Sequence, residues 1–183
     1  MMKSVLISIR PQWVEKIASG EKTIEVRKTA PQEVPFKCYI YETQGQYVKF
    51  THGAHTKYGY GRGKVIGEFI CDKVYSIKNR GSSFSVADEE QSVTNEIARQ
   101  SCLYYDDMVS YFGNKDGFGW HISDLKIYDK PKELSEFCIP CKVSCENCKN
   151  PLYFECWCEE KGKKIVTRPP LSWCYVEDLG EEE

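Results

Sequence analysis

The chain has 183 residues, of which 41% are hydrophobic and 28% charged; this suits one domain with an elaboration and excludes intrinsic disorder. Its formal net charge of −2 excludes the uniformly basic field of a protein that coats nucleic acid. No run approaches the roughly 18 apolar residues of a membrane helix, and the opening Met1 to Arg10 is too short and strand-like for a secretory signal, so a cytoplasmic protein without a membrane partner is expected.

Residues 4–9 alternate and predict a strand. Pro11 then sits at a first helical position, where its missing N–H costs nothing. Trp13, Val14, Ile17 and Ala18 follow at helical spacing, and Gly20 supplies a left-handed stop. The segment Gly20-Glu21-Lys22-Thr23-Ile24-Glu25-Val26-Arg27 predicts the next strand. Successive side chains alternate faces along a strand. Ile24 and Val26 therefore point into a core, while Thr23, Glu25 and Arg27 share the other face and Lys22 stands at the entrance. Arg27 offers a planar fork for phosphate or carboxylate, Lys22 a point charge that burial makes a better base, and Glu25 an acceptor for a base amino group. The competing reading is a solvated strand face.

A strand is expected over 37–43 and another over 64–75. Between them runs His52-Gly-Ala-His55-Thr-Lys57-Tyr58-Gly-Tyr60-Gly-Arg62-Gly-Lys64, whose glycines predict an open loop. Its cations Lys57, Arg62 and Lys64 suit phosphates, and Tyr58 and Tyr60 suit stacking on bases. Such a loop fits single-stranded RNA, which is read through splayed bases; the alternative is a plain surface connector. His52 and His55 are weak metal candidates. Residues 86–112 predict two helical pieces, capped by Ser85 or Asp88 and stopped by Gly113, with Val93, Ile97, Leu103, Met108, Tyr111 and Phe112 as the apolar stripe. Phe118 to Tyr128 predicts a strand pair or one bent strand ended by Pro131, with His121 packed or hydrogen-bonded. Residues 171–176 predict a closing strand.

The ten cysteines give the strongest local chemical pattern. In a reducing compartment clustered thiols favour metal over disulfides. Cys138 and Cys141 are spaced C-x2-C, as are Cys145 and Cys148; Cys156 and Cys158 are C-x-C. Two such pairs close a zinc tetrahedron. The expected quartet is Cys145, Cys148, Cys156 and Cys158, with Cys138, Cys141 and Cys174 as alternates, and an all-thiolate Zn2+ site is structural. Cys38, Cys71 and Cys102 are expected as small core fillers. The acid is concentrated here: residues 138–183 hold six Lys and Arg against nine Asp and Glu, and the rest nineteen against eighteen.

Leu6-Ile7-Ser8-Ile9-Arg10-Pro11, the helix, Gly20 to Arg27, Gly67-Glu68-Phe69 and Gly119-Trp120-His121-Ile122-Ser123 together resemble the ASCH (activating signal cointegrator homology) family. The resemblance implies an α+β, PUA-like small β-barrel with flanking helices, here carrying an added cysteine-rich insert. It divides the chain into a barrel over 1–137, an insert over 138–168, and a closing strand with acidic tail over 169–183. The function it implies is RNA or nucleotide binding in a cleft lined by Lys22, Glu25 and Arg27. A few small members are amidohydrolases that deacylate N4-acetylcytidine with a lysine, a threonine and a downstream glutamate. Here Lys22 matches, Glu25 stands at the threonine position, Thr23 lies two residues earlier, and Glu68, Glu89, Glu90 and Glu96 compete for the last role. If the protein is an enzyme, Lys22 and Glu25 carry the chemistry; a third possibility is a protein–protein adaptor that docks through the insert.

Overall fold

In the computed structural model, which describes residues 3–52, 55–140 and 165–180, the opening strand–helix–strand unit forms as its local signals dictate. Strand β1 is Lys3–Ile9. Helix α1, Pro11–Ala18, starts with Pro11 in its first turn and buries Pro11, Val14 and Ile17. Gly20 adopts φ +76 and donates to the Ile17 carbonyl at 2.9 Å. Strand β2 is Ile24–Arg27, and β3 is Phe36–Glu42, buried along its whole length.

Two sheets build the core. Strand β6 (Lys64–Cys71) and β10 (Ser123–Lys132) join β3, β1 and β11 (Trp173–Val176) in the order β10-β6-β3-β1-β11. Within it β1 and β3 run parallel and the other neighbours antiparallel. The inner strands have both faces covered, which is why β1 reads as a nearly continuous apolar run: Val5, Ile7 and Ile9 enter one cluster and Leu6 another. The second sheet has the order β2-β9-β7-β8, with β7 at Val74–Asn79, β8 at Phe84–Val86 and β9 at Gly117–His121. Helices α2 (Gln91–Ser101) and α3 (Tyr105–Phe112) cover its outer face through Ile97, Met108 and Phe112.

The chain crosses between the sheets at two corners, Asp72-Lys73 between β6 and β7 and Ile122 between β9 and β10. Backbone bonds His121 N–H to the Lys73 carbonyl and Ile122 N–H to the Thr23 carbonyl, both 2.9 Å, pin them. Strands that switch sheets at corners belong to barrel-like sandwiches. The expected strand over 64–75 is therefore two strands in different sheets. Among the described residues the ladders do not close into one barrel, and β11 pairs with β1 as an edge instead of sealing it.

Other expectations shift as well. The N-cap of α2 is Glu90, without a side-chain cap; Ser85 belongs to β8 and Asp88 adopts φ 61. Pro131 lies inside β10, tolerated because β10 is an edge strand. Cys38 and Cys71 are fully buried, but Cys102 is half-buried at the left-handed C-cap of α2. The expected open loop at 52–64 is a hairpin of β4 (Gly45–His52) and β5 (His55–Gly61). Its glycines make room: a Cβ on Gly59 would run into the Tyr47 ring, and one on Gly61 into the Thr43 carbonyl oxygen.

Candidate ligand site

Lys22, Glu25 and Arg27 come together between the two sheets, and the solvated-face reading fails: they are 2%, 6% and 7% exposed. The expected alternation holds. Ile24 and Val26 pack under α2 and α3, while Glu25 and Arg27 turn to the other face. That face is covered too, because Trp120, directly opposite Glu25 in β9, packs into the cluster of the five-stranded sheet. The segment before β2 is stitched to the end of α2. Thr23 N–H donates to the Gln100 carbonyl at 3.0 Å. Lys22 Nζ donates to the Ser101 carbonyl at 2.6 Å and the Ile24 carbonyl at 2.7 Å. A helix leaves its last carbonyls unpaired and partially negative, so an ammonium there is stabilising. The Trp13 ring lies 5.5 Å from the same nitrogen.

The three charges form a chain. Glu25 Oε1 is 2.9 Å from a terminal nitrogen of Arg27, and Glu25 Oε2 is 3.4 Å from Lys22 Nζ. That Arg27 nitrogen also donates to the Ser8 carbonyl at 2.7 Å. With all three groups ionised, two cations share one carboxylate. Burial lowers the Lys22 pKa, with Glu25 opposing the shift. Two buried N–H groups here, Arg27 Nε and Trp120 Nε1, have no hydrogen-bond partner among the described residues, and Glu25 Oε2 has only its 3.4 Å ion pair with Lys22. Buried polar groups are nearly always paired, so the two unpartnered N–H donors are an exception within an otherwise closed cluster. At the rim, Tyr111 lies against Arg27, its phenol pushed up by burial, and Lys28 Nζ sits 5.2 Å over its ring. Opposite, Trp173 stands edge-on to Trp120 at 5.8 Å and donates Nε1–H to the Thr29 hydroxyl at 3.0 Å.

The rest of the expected ligand set lies elsewhere. In the β4–β5 hairpin, Tyr58 opposes Val48 and Tyr60 opposes Gln46, so the two rings share one face, 50% and 73% exposed. Lys57 alternates to the other side. Arg62 is 3.8 Å from Glu42 and Lys64 is 2.6 Å from Glu133. The hairpin leans on α1 through Lys49 and Glu15 at 2.6 Å, whereas Lys22 meets α1 through Trp13. Two residues turn a helix by about 200°, so α1 stands between them. The expected cleft residues Lys22, Glu25 and Arg27 and the loop candidates Lys57, Tyr58, Tyr60, Arg62 and Lys64 thus lie in two regions. Thr23 contributes its backbone to the first. Sequence reasoning missed Trp120, Tyr111 and Trp173 as members of that region; only the Gly119-Trp120-His121 match hinted at one of them.

The four glutamates weighed for the downstream role lie apart from Lys22 and Glu25 or face solvent. Glu68 accepts from Tyr128 at 2.5 Å and pairs in register with Tyr39, on the far face of the five-stranded sheet; Glu89, Glu90 and Glu96 are exposed. His121 bonds Asp72 at 2.6 Å, the hydrogen-bonded role expected of it, and this pulls the Asp72 pKa down. Cys141, Cys145, Cys148, Cys156 and Cys158 lie outside the described residues. Cys138 and Cys174 are free thiols, and no group of three metal-ligating side chains occurs among the described residues.

Sheet order, the β1–α1–β2 opening and the buried lysine–glutamate–arginine cluster define a protein with an ASCH-like α+β fold. No family model and no curated protein matches the chain. Solved structures do: an ASCH protein from Zymomonas mobilis has a TM-score of 0.55 and 19% identity over 96% of this chain and 88% of its own. A serine-to-alanine variant of it matches at 0.55 and 18%, covering 96% and 89%, and a tyrosine-to-phenylalanine variant at 0.53 and 17%, covering 96% and 91%. At these identities the likeness establishes the fold. No helix among the described residues is long and apolar enough to cross a membrane.

Proposed function

We propose that the protein is an RNA- or nucleotide-binding module whose ligand reaches Lys22, Glu25 and Arg27. The observation that carries this reading is the buried chain of Lys22, Glu25 and Arg27, with the N–H donors Arg27 Nε and Trp120 Nε1 unpartnered beside it. Ionisable groups held out of water at such cost cluster at functional sites, and the ASCH-like fold agrees with the assignment. Tyr58 and Tyr60 add a separate stacking platform for neighbouring bases. The cysteine spacing supports one structural zinc on Cys145, Cys148, Cys156 and Cys158; colourless protein with about one metal equivalent is expected, and a brown, visibly absorbing protein contradicts it.

Fluorescence anisotropy with a labelled single-stranded RNA tests the module. Arg27→Ala and Lys22→Ala should weaken binding. Log affinity should fall with log salt by roughly 0.7 per phosphate contact. Salt-independent binding, or affinity unchanged in both variants, overturns the proposal.

A further inference from the structure

We propose that the protein holds a second binding site, in the cavity between β8 and the helices α2 and α3, for a neutral fused-ring molecule that carries an adjacent carbonyl and N–H. The site lies on the face of the second sheet where Ile24 and Val26 pack, opposite to Glu25 and Arg27, and it does not depend on the RNA-binding reading.

The hollow follows from a short edge strand. Strand β8 has three residues and ends the order β2-β9-β7-β8, so one side of it has no strand beside it. Thr94 of α2 answers that edge, its hydroxyl accepting from the Val86 N–H at 3.0 Å. One side chain bonds the edge without filling it, and a cavity of about 220 Å³ is left. Its floor is apolar, made by the buried Ile77, Val86, Ile97 and Met108. Phe84 and Tyr105 stand along it with ring centroids 5.6 Å apart.

Three features define the ligand. The first is charge. No side chain that lines the cavity among the described residues is charged. Arg80 donates to the Ser85 hydroxyl at 3.0 Å but does not line it. An ion entering there would shed its water without gaining a partner. The second is size. Voids larger than a water molecule are few in a packed domain, and an apolar cavity of about 150 Å³ takes up benzene. The larger volume here leaves room for a second fused ring, yet stays below the roughly 300 Å³ at which sites for drug-sized ligands begin. The aromatic rings and the soft Met108 sulfur suit a flat occupant.

The third is the polar edge. Gln91, Thr94 and Asn95 all line the cavity, and the spacing i, i+3, i+4 puts them on one face of α2. The bond from Val86 uses a lone pair of Thr94, so its O–H remains a donor. Gln91 Nε2 donates to Asn95 Oδ1 at 3.0 Å, which leaves the Gln91 carbonyl as an acceptor and the Asn95 amide as a donor. Donors and an acceptor along one helix face match a carbonyl beside an N–H, the edge of a lactam.

The experiment titrates oxindole into the protein and follows 1H–13C methyl spectra, in wild type and Ala98→Leu. Ala98 lines the cavity and is partly buried, so leucine occupies the space. Filling a cavity commonly stabilises; the melting temperature should hold or rise while oxindole affinity falls about tenfold or more. In wild type the Ile77, Ile97 and Met108 methyl signals should shift and saturate together. Oxindole should bind about fivefold more tightly than indane, which lacks the polar edge, and about tenfold or more tightly than indole-2-carboxylate, which brings a charge. Absence of saturating shifts at those methyls in wild type overturns the site without recourse to a variant, and so does unchanged affinity in folded Ala98→Leu. Indane or the carboxylate binding as tightly as oxindole overturns the ligand class. Single-stranded RNA added to the oxindole complex separates two sources of the same chemistry: displacement assigns the cavity to a base turned out of RNA, coexistence to a free ring molecule, and the proposal stands in both.

Discussion

Two regions of this molecule carry similar side chains and meet opposite fates. The β2 segment and the β4–β5 hairpin both set cations beside aromatic rings. In β2 the charges are sealed between two sheets and held within a chain of 2.9 and 3.4 Å contacts. In the hairpin Tyr58 and Tyr60 stand in solvent, and just beyond it Arg62 and Lys64 are 58% and 43% exposed, Lys64 pairing with the exposed Glu133 and Arg62 lying 3.8 Å from the buried Glu42. Exposed pairs of that kind contribute about 0–1 kcal/mol, while sealing ions from water costs several kcal/mol each before any partner is counted. The difference teaches that a charged motif gains meaning from what covers it. Exposed cations persist on any soluble surface; the β2 cations persist because Glu25 and the Ser8, Ile24 and Ser101 carbonyls answer them.

The comparison breaks first at Glu25. Glu25→Ala strands two buried cations and should cost about 3–5 kcal/mol in urea denaturation, whereas Glu133→Ala, which removes the partner of Lys64, should cost about 0–1 kcal/mol. Similar losses in both would mean that the burial contrast has no energetic content. Next comes the hairpin itself. Tyr60→Ala should weaken RNA binding by about 1–3 kcal/mol if a base stacks there, with the melting temperature unmoved; an unaltered titration removes the hairpin from the interface.

The Lys22 shift gives a pH test. Its folded pKa is lowered by burial, so the unfolded chain holds the proton more tightly than the native protein does. Below the folded pKa the full cost of the buried charge is present. As pH rises from the folded value towards about 10.5, the native state sheds a proton that the unfolded chain keeps, and stability rises. Lys22→Met should flatten that rise in melting curves, and an identical rise in the variant assigns it to other groups. The smallest effect belongs to the corner pair. Asp72, its pKa lowered by His121, contributes stability above about pH 3.8 that fades as pH falls through its folded value. Asp72→Asn should therefore cost about 1 kcal/mol or less at neutral pH and nothing in strong acid. A constant offset at all pH would instead reflect packing.

The opening of the fold was legible because its signals are local: Pro11 starts a helix, Gly20 stops it, and Ile24 and Val26 keep a two-residue period. The corners were not. The apolar run from Val65 to Val74 continues while the chain changes sheets at Asp72-Lys73, and periodicity does not say which sheet a strand joins. Strand β8, three residues long, falls below any pattern. The hairpin glycines suggested looseness, yet Gly59 and Gly61 clear space for Tyr47 and Thr43. For the site, sequence singled out Lys22, Glu25 and Arg27 but left burial open, since the cover comes from Ser8, Trp120 and Trp173, far apart in the chain. Trp120 reads as core and is core; that its Nε1–H is unspent depends on three-dimensional neighbours.

The most direct measurement follows the side-chain N–H resonances of Arg27 and Trp120 in 1H–15N spectra during titration with single-stranded RNA, with Trp120→Phe assigning the indole signal. If the buried cluster is the ligand seat, the Arg27 Nε–H and Trp120 Nε1–H signals shift and saturate together with the anisotropy curve. If RNA binds while both signals stay fixed and only hairpin resonances move, the cluster is structural and the ligand sits outside.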